Sequence, residues 1–306
     1  MQEDTQRILP DVLPDTSTDD TTERYPRLRQ ASRFWRRFSR NRGAIFGLGV
    51  FTLIVLASIF AEQLSPYDPI NPDFMALMEP PSARHWLGTD SLGRDLLSRI
   101  IFGARSALIV GIMAVLLAMV VGVLLGLVAG YYGGVIDSVI MRMMDGLFAF
   151  PTLILAIALM AILGFGIVNI IIAVAVGYIA PFARVTRGDV LAIREEPYVE
   201  AARLVGVSNP AIISRHVLPN VLAPIIVQGA LRVSAAIIAE AGLSFLGLGI
   251  PPPTPAWGSM ISEGRQFLVM APWISTFPGL ALMLAVVGLN LLGDGLRDTL
   301  DPRLKR

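Results

Sequence analysis

Long uncharged apolar runs alternate with short polar stretches along the chain, and this alternation predicts its elements. Ala44 to Ala61 carries no charge and is long enough to cross a bilayer. Ser106 to Ile136 is also uncharged and contains a second crossing. Gly146 to Ala183 is too long for one crossing, and Gly164-Phe165-Gly166 offers a break. This predicts two helices joined by a tight hairpin, the first beginning near Asp137. A fifth helix is predicted from about Val221 to Leu243. Pro251 to Pro255, with four prolines in five positions, rules out its continuation. A sixth is predicted from Ser275 to Gly293. The expected fold class is an all-α membrane protein with six transmembrane helices.

Between the fourth and fifth runs lies a polar island, 194–220. Pro197 suits the first turn of a helix, where its missing N–H is no loss. Tyr198 to Val205 reads as helical, and Gly206 suits the left-handed residue that ends such a helix. Asn209-Pro210 predicts a second short helix with Asn209 as its N-cap, and Pro219 marks the start of the fifth crossing. Ala201 and Ala202 keep one face thin for close approach. Tyr198, Val205, Ile212 and Ile213 are expected to supply apolar contact. Two readings of this helix–turn–helix stand side by side: a handle for a partner outside the bilayer, or an amphipathic connector lying on the headgroups.

Charge then sets direction. With the N-terminus in the cytoplasm, Arg184, Arg187, Arg194, Arg203 and Arg215 fall inside, as do Arg297, Arg303, Lys305 and Arg306. The opposite loop holds Arg84, Arg94 and Arg99 against Glu62, Asp68, Asp73, Glu79, Asp90 and Asp95. Within it, Ser91 to Phe102 is amphipathic, and Asp95 stands four residues before Arg99 in the order that supports a helix. A helix lying on the outer membrane surface is expected there. Residues 1–32 form a polar head without apolar period, expected to be a disordered cytoplasmic tail. The first run follows the basic cluster Arg33, Arg36, Arg37, Arg40 and Arg42. The expected division is therefore a tail over 1–32, a basic segment and first helix over 33–62, and an extracytoplasmic loop over 63–103. A five-helix core over 104–297 and a cytoplasmic end over 298–306 complete it.

Composition narrows the chemistry. Hydrophobic residues make up 54% of the 306 and charged residues only 16%, against about 25% charged in soluble domains. There is no cysteine, and His85 and His216 lie far apart, so no disulfide and no metal cluster is expected. The single lysine, Lys305, excludes a phosphate-binding Gly-rich loop with its Lys and Ser or Thr. No nucleophile–base–acid set stands out, so no enzymatic chemistry is expected.

Four stretches resemble one family. Glu200-Ala201-Ala202, then Gly206, then Leu218-Pro219 resembles the EAA loop of ABC-importer permeases, whose coupling helices dock in a groove of the ATPase. His216 departs from the isoleucine of the general pattern, in a way shared with the peptide-importer branch. His85 to Arg105, Leu243 to Gly258 and Asn290 to Arg303 resemble the second-subunit type of dipeptide/oligopeptide permease. The resemblance covers roughly 33–306. It implies a type I ABC importer permease fold with cytoplasmic coupling helices in a bacterial plasma membrane. It also implies a sister permease, two ABC ATPase subunits or domains that bind ATP and Mg, and an extracytoplasmic substrate-binding protein. No cofactor and no nucleic acid is expected on this chain. Tyr198, Glu200, Ala201, Ala202, Gly206, His216 and Pro219 are the implied ATPase-coupling residues.

Charges inside the apolar runs are costly in lipid, so they face the bundle or water and pair. Arg232 and Glu240 share a face of the fifth helix but stand about 12 Å apart along it, which points to partners on other helices. They, with Asp145, are candidates to line a substrate path and meet the charged ends of a peptide; structural pairing between helices is the alternative. Trp257 and Trp273 are expected at the lipid interface. Within the family, nickel, glutathione or another small solute can replace peptide. A rival of a different class is a self-sufficient secondary transporter using Asp145 and Glu240 for ion coupling.

Overall fold

The structure, a computed structural model, describes residues 35, 36 and 38–300. The tail expected over 1–32 and the basic residues Arg33, Arg37, Arg303, Lys305 and Arg306 lie outside the described residues.

The helices follow in order: α1 (Arg42–Ile59), α2 (Ala61–Leu64), α3 (Leu96–Tyr132), α4 (Gly134–Phe148), α5 (Thr152–Leu163), α6 (Ile167–Ile193), α7 (Pro197–Leu204), α8 (Asn209–Ile212), α9 (Leu218–Phe245), α10 (Trp257–Gly264) and α11 (Trp273–Leu300). Five helical stretches are long and apolar enough to cross a membrane. They are α1, α3, α6, the run Asn209–Phe245 and α11; the bent pair α4–α5 makes a sixth if taken as one span.

Several boundaries differ from expectation. The surface helix expected over 91–102 is instead the start of α3, which runs unbroken for 37 residues, about 55 Å. Asp95 caps it, accepting the Ser98 N–H at 2.8 Å, so the carboxylate serves the helix end and not Arg99. Gly133 (φ +68°) ends α3 with a turn that favours glycine. The third crossing is broken: α4 and α5 meet at 91°. Phe150-Pro151 explains the bend, because a residue before proline avoids helical geometry and proline has no N–H to give. The break expected at Gly164–Gly166 is present, with both glycines at positive φ. The boundary expected at 297/298 falls inside α11. The helix α10 was not expected from the sequence, and its Trp257 is a core residue, not an interfacial one. It is 2% exposed and donates from Nε1 to the Ile100 carbonyl at 3.0 Å.

Two large apolar cores hold the bundle, with a small third one between α4 and α6 around Met144, Ala180 and Ala183. One lies among α3, α6 and α9, with Val110, Ala118, Leu127, Ile170, Val174, Phe182 and Ile225 buried. The other joins α1, the start of α3, α10 and α11 through Val50, Ile54, Leu96, Leu108, Trp257, Ile274 and Leu289. Small residues permit both. Gly122, Gly126 and Gly130 recur at intervals of four on one face of α3, which brings its backbone close to α6. A methyl group added at Gly122 would stand 2.7 Å from the Ile179 carbonyl oxygen, and one at Gly126 2.6 Å from that of Ala183. At Gly130 it would meet Val190 Cβ at 2.8 Å. Gly47 and Gly288 do the same for α1 against α11.

Gly126→Leu is therefore expected to destabilise the bundle by about 3 kcal/mol or more through overpacking against backbone. Gly188→Ala, where an added methyl meets nothing within 4 Å, is expected to leave it unchanged. Thermal unfolding of the two variants in detergent checks the difference.

Candidate functional site: the polar elbow and its clamp

The elbow between α6 and α9 is built by backbone chemistry that the sequence dictates. Arg194 closes α6, and Pro197 occupies the first turn of α7. At the far end the Gly206 N–H bonds the Arg203 carbonyl and the Val207 N–H reaches back to Ala202, both at 3.0 Å. Gly206 sits at φ +82°, the left-handed geometry this closure needs. The second helix differs from expectation. Ser208, not Asn209, stands at its N-cap position, and α8 is no separate helix, because a π-helical turn, Ile213–Val217, carries it straight into α9. Pro219 accounts for the change of register: it has no N–H to offer the carbonyl four residues back, and Leu218 bonds Ile213 instead.

The elbow has two faces. Val199, Ile212 and Val217 are fully buried and belong to the same apolar core as α3, α6 and α9. Ile212, expected as an outward contact, is thus an anchor. The outer face carries Leu204 at 83% and Val205 at 82% exposure, with Glu200, Ala201 and Gly206 exposed beside them. Isolated side chains of this size normally gain from being covered.

The end of α3 clamps the elbow. The Tyr131 hydroxyl donates to Asn209 Oδ1 at 2.9 Å, and the Arg203 guanidinium lies 5.1 Å from the Tyr131 ring centre. Arg194 donates to the Gly130 carbonyl at 3.0 Å. From α9, Asn220 Nδ2 donates to the His216 carbonyl at 2.6 Å and to the Tyr198 hydroxyl at 3.3 Å, while the Tyr198 and His216 rings lie 6.4 Å apart. Of the residues singled out in the sequence, Tyr198, Glu200, Ala201, Gly206 and Pro219 are exposed, and Ala202 and His216 partly buried. All seven stand on this one elbow. Tyr131, Arg203 and Asn220 were not singled out; Tyr131-Tyr132 ahead of Gly133-Gly134, polar at the end of an apolar run, was the available signal.

The three intramembrane candidates do not converge. Glu240 is 1% exposed and accepts from Ser244 on its own helix at 2.7 Å, and from no other helix among the described residues. Arg232 lies 5.8 Å from the Tyr178 ring centre on α6. Asp145 accepts from Arg184 at 2.6 Å on the outside of the α4–α6 contact. Nearby, Arg187 holds Asp137 through two hydrogen bonds.

The opposite end of α3 is fixed as firmly. Arg94 Nε donates to Asp90 at 2.7 Å and Arg99 Nε lies 3.3 Å from the same carboxylate. Both guanidinium groups also reach Glu263 of α10, at 3.4 and 3.7 Å. His85 Nδ1 stands 3.0 Å from Asp95 Oδ1, and Trp273 Nε1 donates to the Thr89 carbonyl. Two acids and two bases thus neutralise one another, with Asp90, Arg94 and Arg99 buried and Glu263 at the partly exposed edge of the cluster, as buried charge requires. Among the described residues no three His, Asp or Glu side chains are grouped to hold a metal ion.

Membrane-crossing helices around a small-residue seam, with an elbow rooted in their core, have the architecture of a type I ABC-importer permease. The chain superposes on an inward-facing MetNI methionine ABC transporter structure with a TM-score of 0.52 at 18% identity, over 66% of this chain and 96% of that one. A second crystal form of the same transporter gives 0.52, over 67% and 97%. Residues 122–306 match the family model for the binding-protein-dependent transport system inner membrane component, and 29–81 match the N-terminal TM domain of oligopeptide transport permease C. The glutathione transport system permease protein GsiD of Escherichia coli O6:K15:H31 is 48% identical over 273 residues, covering 89% of this chain and 90% of that protein. Its counterpart from Shigella boydii serotype 4 gives the same figures. The chain therefore belongs to the family of binding-protein-dependent transport system inner membrane components, the permeases of ABC importers.

Tyr131→Phe removes one part-buried hydrogen bond from the clamp and is expected to weaken the elbow's docking by about 1 kcal/mol. Amide hydrogen exchange should then quicken over 197–209 and stay unchanged over 273–290.

Proposed function

We propose that this chain is one transmembrane subunit of an ATP-driven importer of short peptides, glutathione among them. It forms half of the translocation path beside a sister permease of different sequence. Two ABC ATPase subunits bind ATP and Mg and grip the elbow, and an extracytoplasmic binding protein delivers the solute. The chain itself performs no catalysis. It sits in the bacterial plasma membrane, in contact with lipid, with both termini and the elbow in the cytoplasm; the arginines around the elbow support that orientation.

The observation that carries this reading is the division of the elbow into a buried and an uncovered face. Leu204 and Val205 point away from the bundle, while Val199 and Ile212 lie inside its core. A force applied to the outer face therefore reaches α3, α6 and α9 through packed side chains. Glu200, Ala201, Ala202, Tyr198, Gly206, His216 and Pro219 are assigned to that coupling surface and its shape. Arg232, on α9 and partly exposed, is assigned to the path, where it meets charged groups of the solute; Glu240, buried and bonded to Ser244, fits a structural role better. Asp145 has a partner in Arg184 and fits a structural pair better.

Peptide as the cargo class is supported by the match to the oligopeptide permease N-terminal domain and by the glutathione permeases, since glutathione is itself a tripeptide. Nickel or another small solute remains the alternative within the same machine. A stand-alone secondary transporter is disfavoured by membership of a binding-protein-dependent family.

Replacing Gly206 by Leu places a side chain at φ +82° and on the coupling surface, and Glu200→Trp adds bulk beside it. Both are expected to lower ATP-dependent uptake into proteoliposomes at least tenfold, a loss of about 1.4 kcal/mol in coupling, and to reduce ATPase co-purification. Wild-type values for both measurements would remove the coupling role.

A further inference from the structure

Directly behind the elbow lies a cavity of about 600 Å³, walled by the last turns of α6, the first half of α9 and the end of α11. That volume falls within the range of small-molecule sites, roughly 300–1,000 Å³. Its polar wall groups are Asp189 from α6, Asn220 and Gln228 from α9, and Arg297 from α11, set among aliphatic side chains such as Val227 and Leu231. Asp189 Oδ2 is shielded from solvent and receives no hydrogen bond from any described residue. Arg297 forms no ion pair with a described residue, although it shares the cavity with that acid. A shielded carboxylate oxygen without a donor is costly, and a cationic N–H donor such as an ammonium group relieves it. A guanidinium fork, in turn, matches a carboxylate.

We propose that this cavity is a release-side subsite for a zwitterionic ligand of dipeptide to tripeptide size, its ammonium group on Asp189 and its carboxylate on Arg297. Opposite charges supplied by separate helices, in a cavity otherwise lined by amide and aliphatic groups, complement a molecule charged at both ends and neutral in the middle. A bare metal ion is a poorer fit, since a hard cation takes several oxygen ligands and no three acids or histidines gather among the described residues. The subsite is separate from Arg232 and Glu240, which do not line the cavity. It also touches the elbow: Asn220 is a wall residue and bonds the Tyr198 hydroxyl and the His216 carbonyl. An occupant pressing on Asn220 therefore bears on the coupling surface.

This inference rests on the permease reading above, and its test separates the two. The complete transporter, permease pair with ATPases, is purified without nucleotide or binding protein. Equilibrium binding is measured with radiolabelled Ala-Ala and glutathione, and with N-acetyl-Ala-Ala and Ala-Ala-amide. The wild type is expected to bind Ala-Ala saturably. Asp189→Asn should weaken Ala-Ala about tenfold, the size of one charge-assisted hydrogen bond, yet leave N-acetyl-Ala-Ala unchanged. Arg297→Gln should weaken Ala-Ala similarly yet leave Ala-Ala-amide unchanged, and Arg297→Lys should fall between. Absence of saturable binding of both Ala-Ala and glutathione to the wild type overturns the subsite. So does wild-type affinity in both charge variants, or a loss that ignores which end of the ligand is blocked. ATP-dependent uptake of the same peptides, with binding protein present, is measured in parallel. Uptake without cavity binding defeats the subsite alone, whereas a complex with neither uptake nor associated ATPase defeats the permease reading as well.

Discussion

Backbone-to-backbone approach between α3 and α6 is the constraint on which the rest of the molecule depends. Lipid tails are as apolar as leucine, so helices in a bilayer gain little from hiding apolar surface from one another; close van der Waals contact has to hold them. Gly122, Gly126 and Gly130 supply that contact by having nothing to hold the helices apart. Because the seam is tight at all three glycines, α3 and α6 pack as one body. The elbow that leaves α6 and returns in α9 then starts from a fixed base.

The two ends of α3 show how that body is tied to its surroundings. At one end Asp90, Arg94, Arg99 and Glu263 form a closed set of charges that joins the loop before α3 to α10. At the other, Tyr131 and the Gly130 carbonyl hold Asn209, Arg203 and Arg194. A single unbroken helix thereby connects the face carrying the closed ion cluster to the face carrying the elbow. The sharp turns lie elsewhere: at the right-angled joint between α4 and α5, and at the glycine turn between α5 and α6.

Apolar runs and their breakers made the crossings legible in the sequence, and proline and glycine placement made the elbow legible, because both depend on local chemistry. What was hidden depends on contacts between distant segments. Asp95 four residues before Arg99 looked like a helical ion pair, but Asp90 and Glu263 compete successfully for Arg99 once the chain has folded. Ser91 to Phe102 looked like a surface helix because it is amphipathic; Asp90, Glu263 and the Pro69 carbonyl, which accepts from Arg99, let α3 carry that charge inward. Asn209 has the composition of a cap, yet the Tyr131 hydroxyl claims its side chain. Trp257 has the amphipathic character of an interfacial residue, but Gly103 leaves a hollow that its ring fills. In each case a long-range partner outweighed a sound local preference. The joint at Ala149–Pro151 is different: Phe150-Pro151 was present to be read, and the uncharged run around it masked the signal.

The uncovered Leu204–Val205 tip has a consequence for the cell before it has one for transport. In the importer proposed above, a newly inserted chain displays two adjacent aliphatic residues until its ATPase partner covers them, and uncovered apolar surface favours non-specific contact. Surplus copies are then a hazard, prone to clumping and to removal by quality-control proteases. Balanced synthesis of this subunit with the protein that caps the tip is the economical remedy.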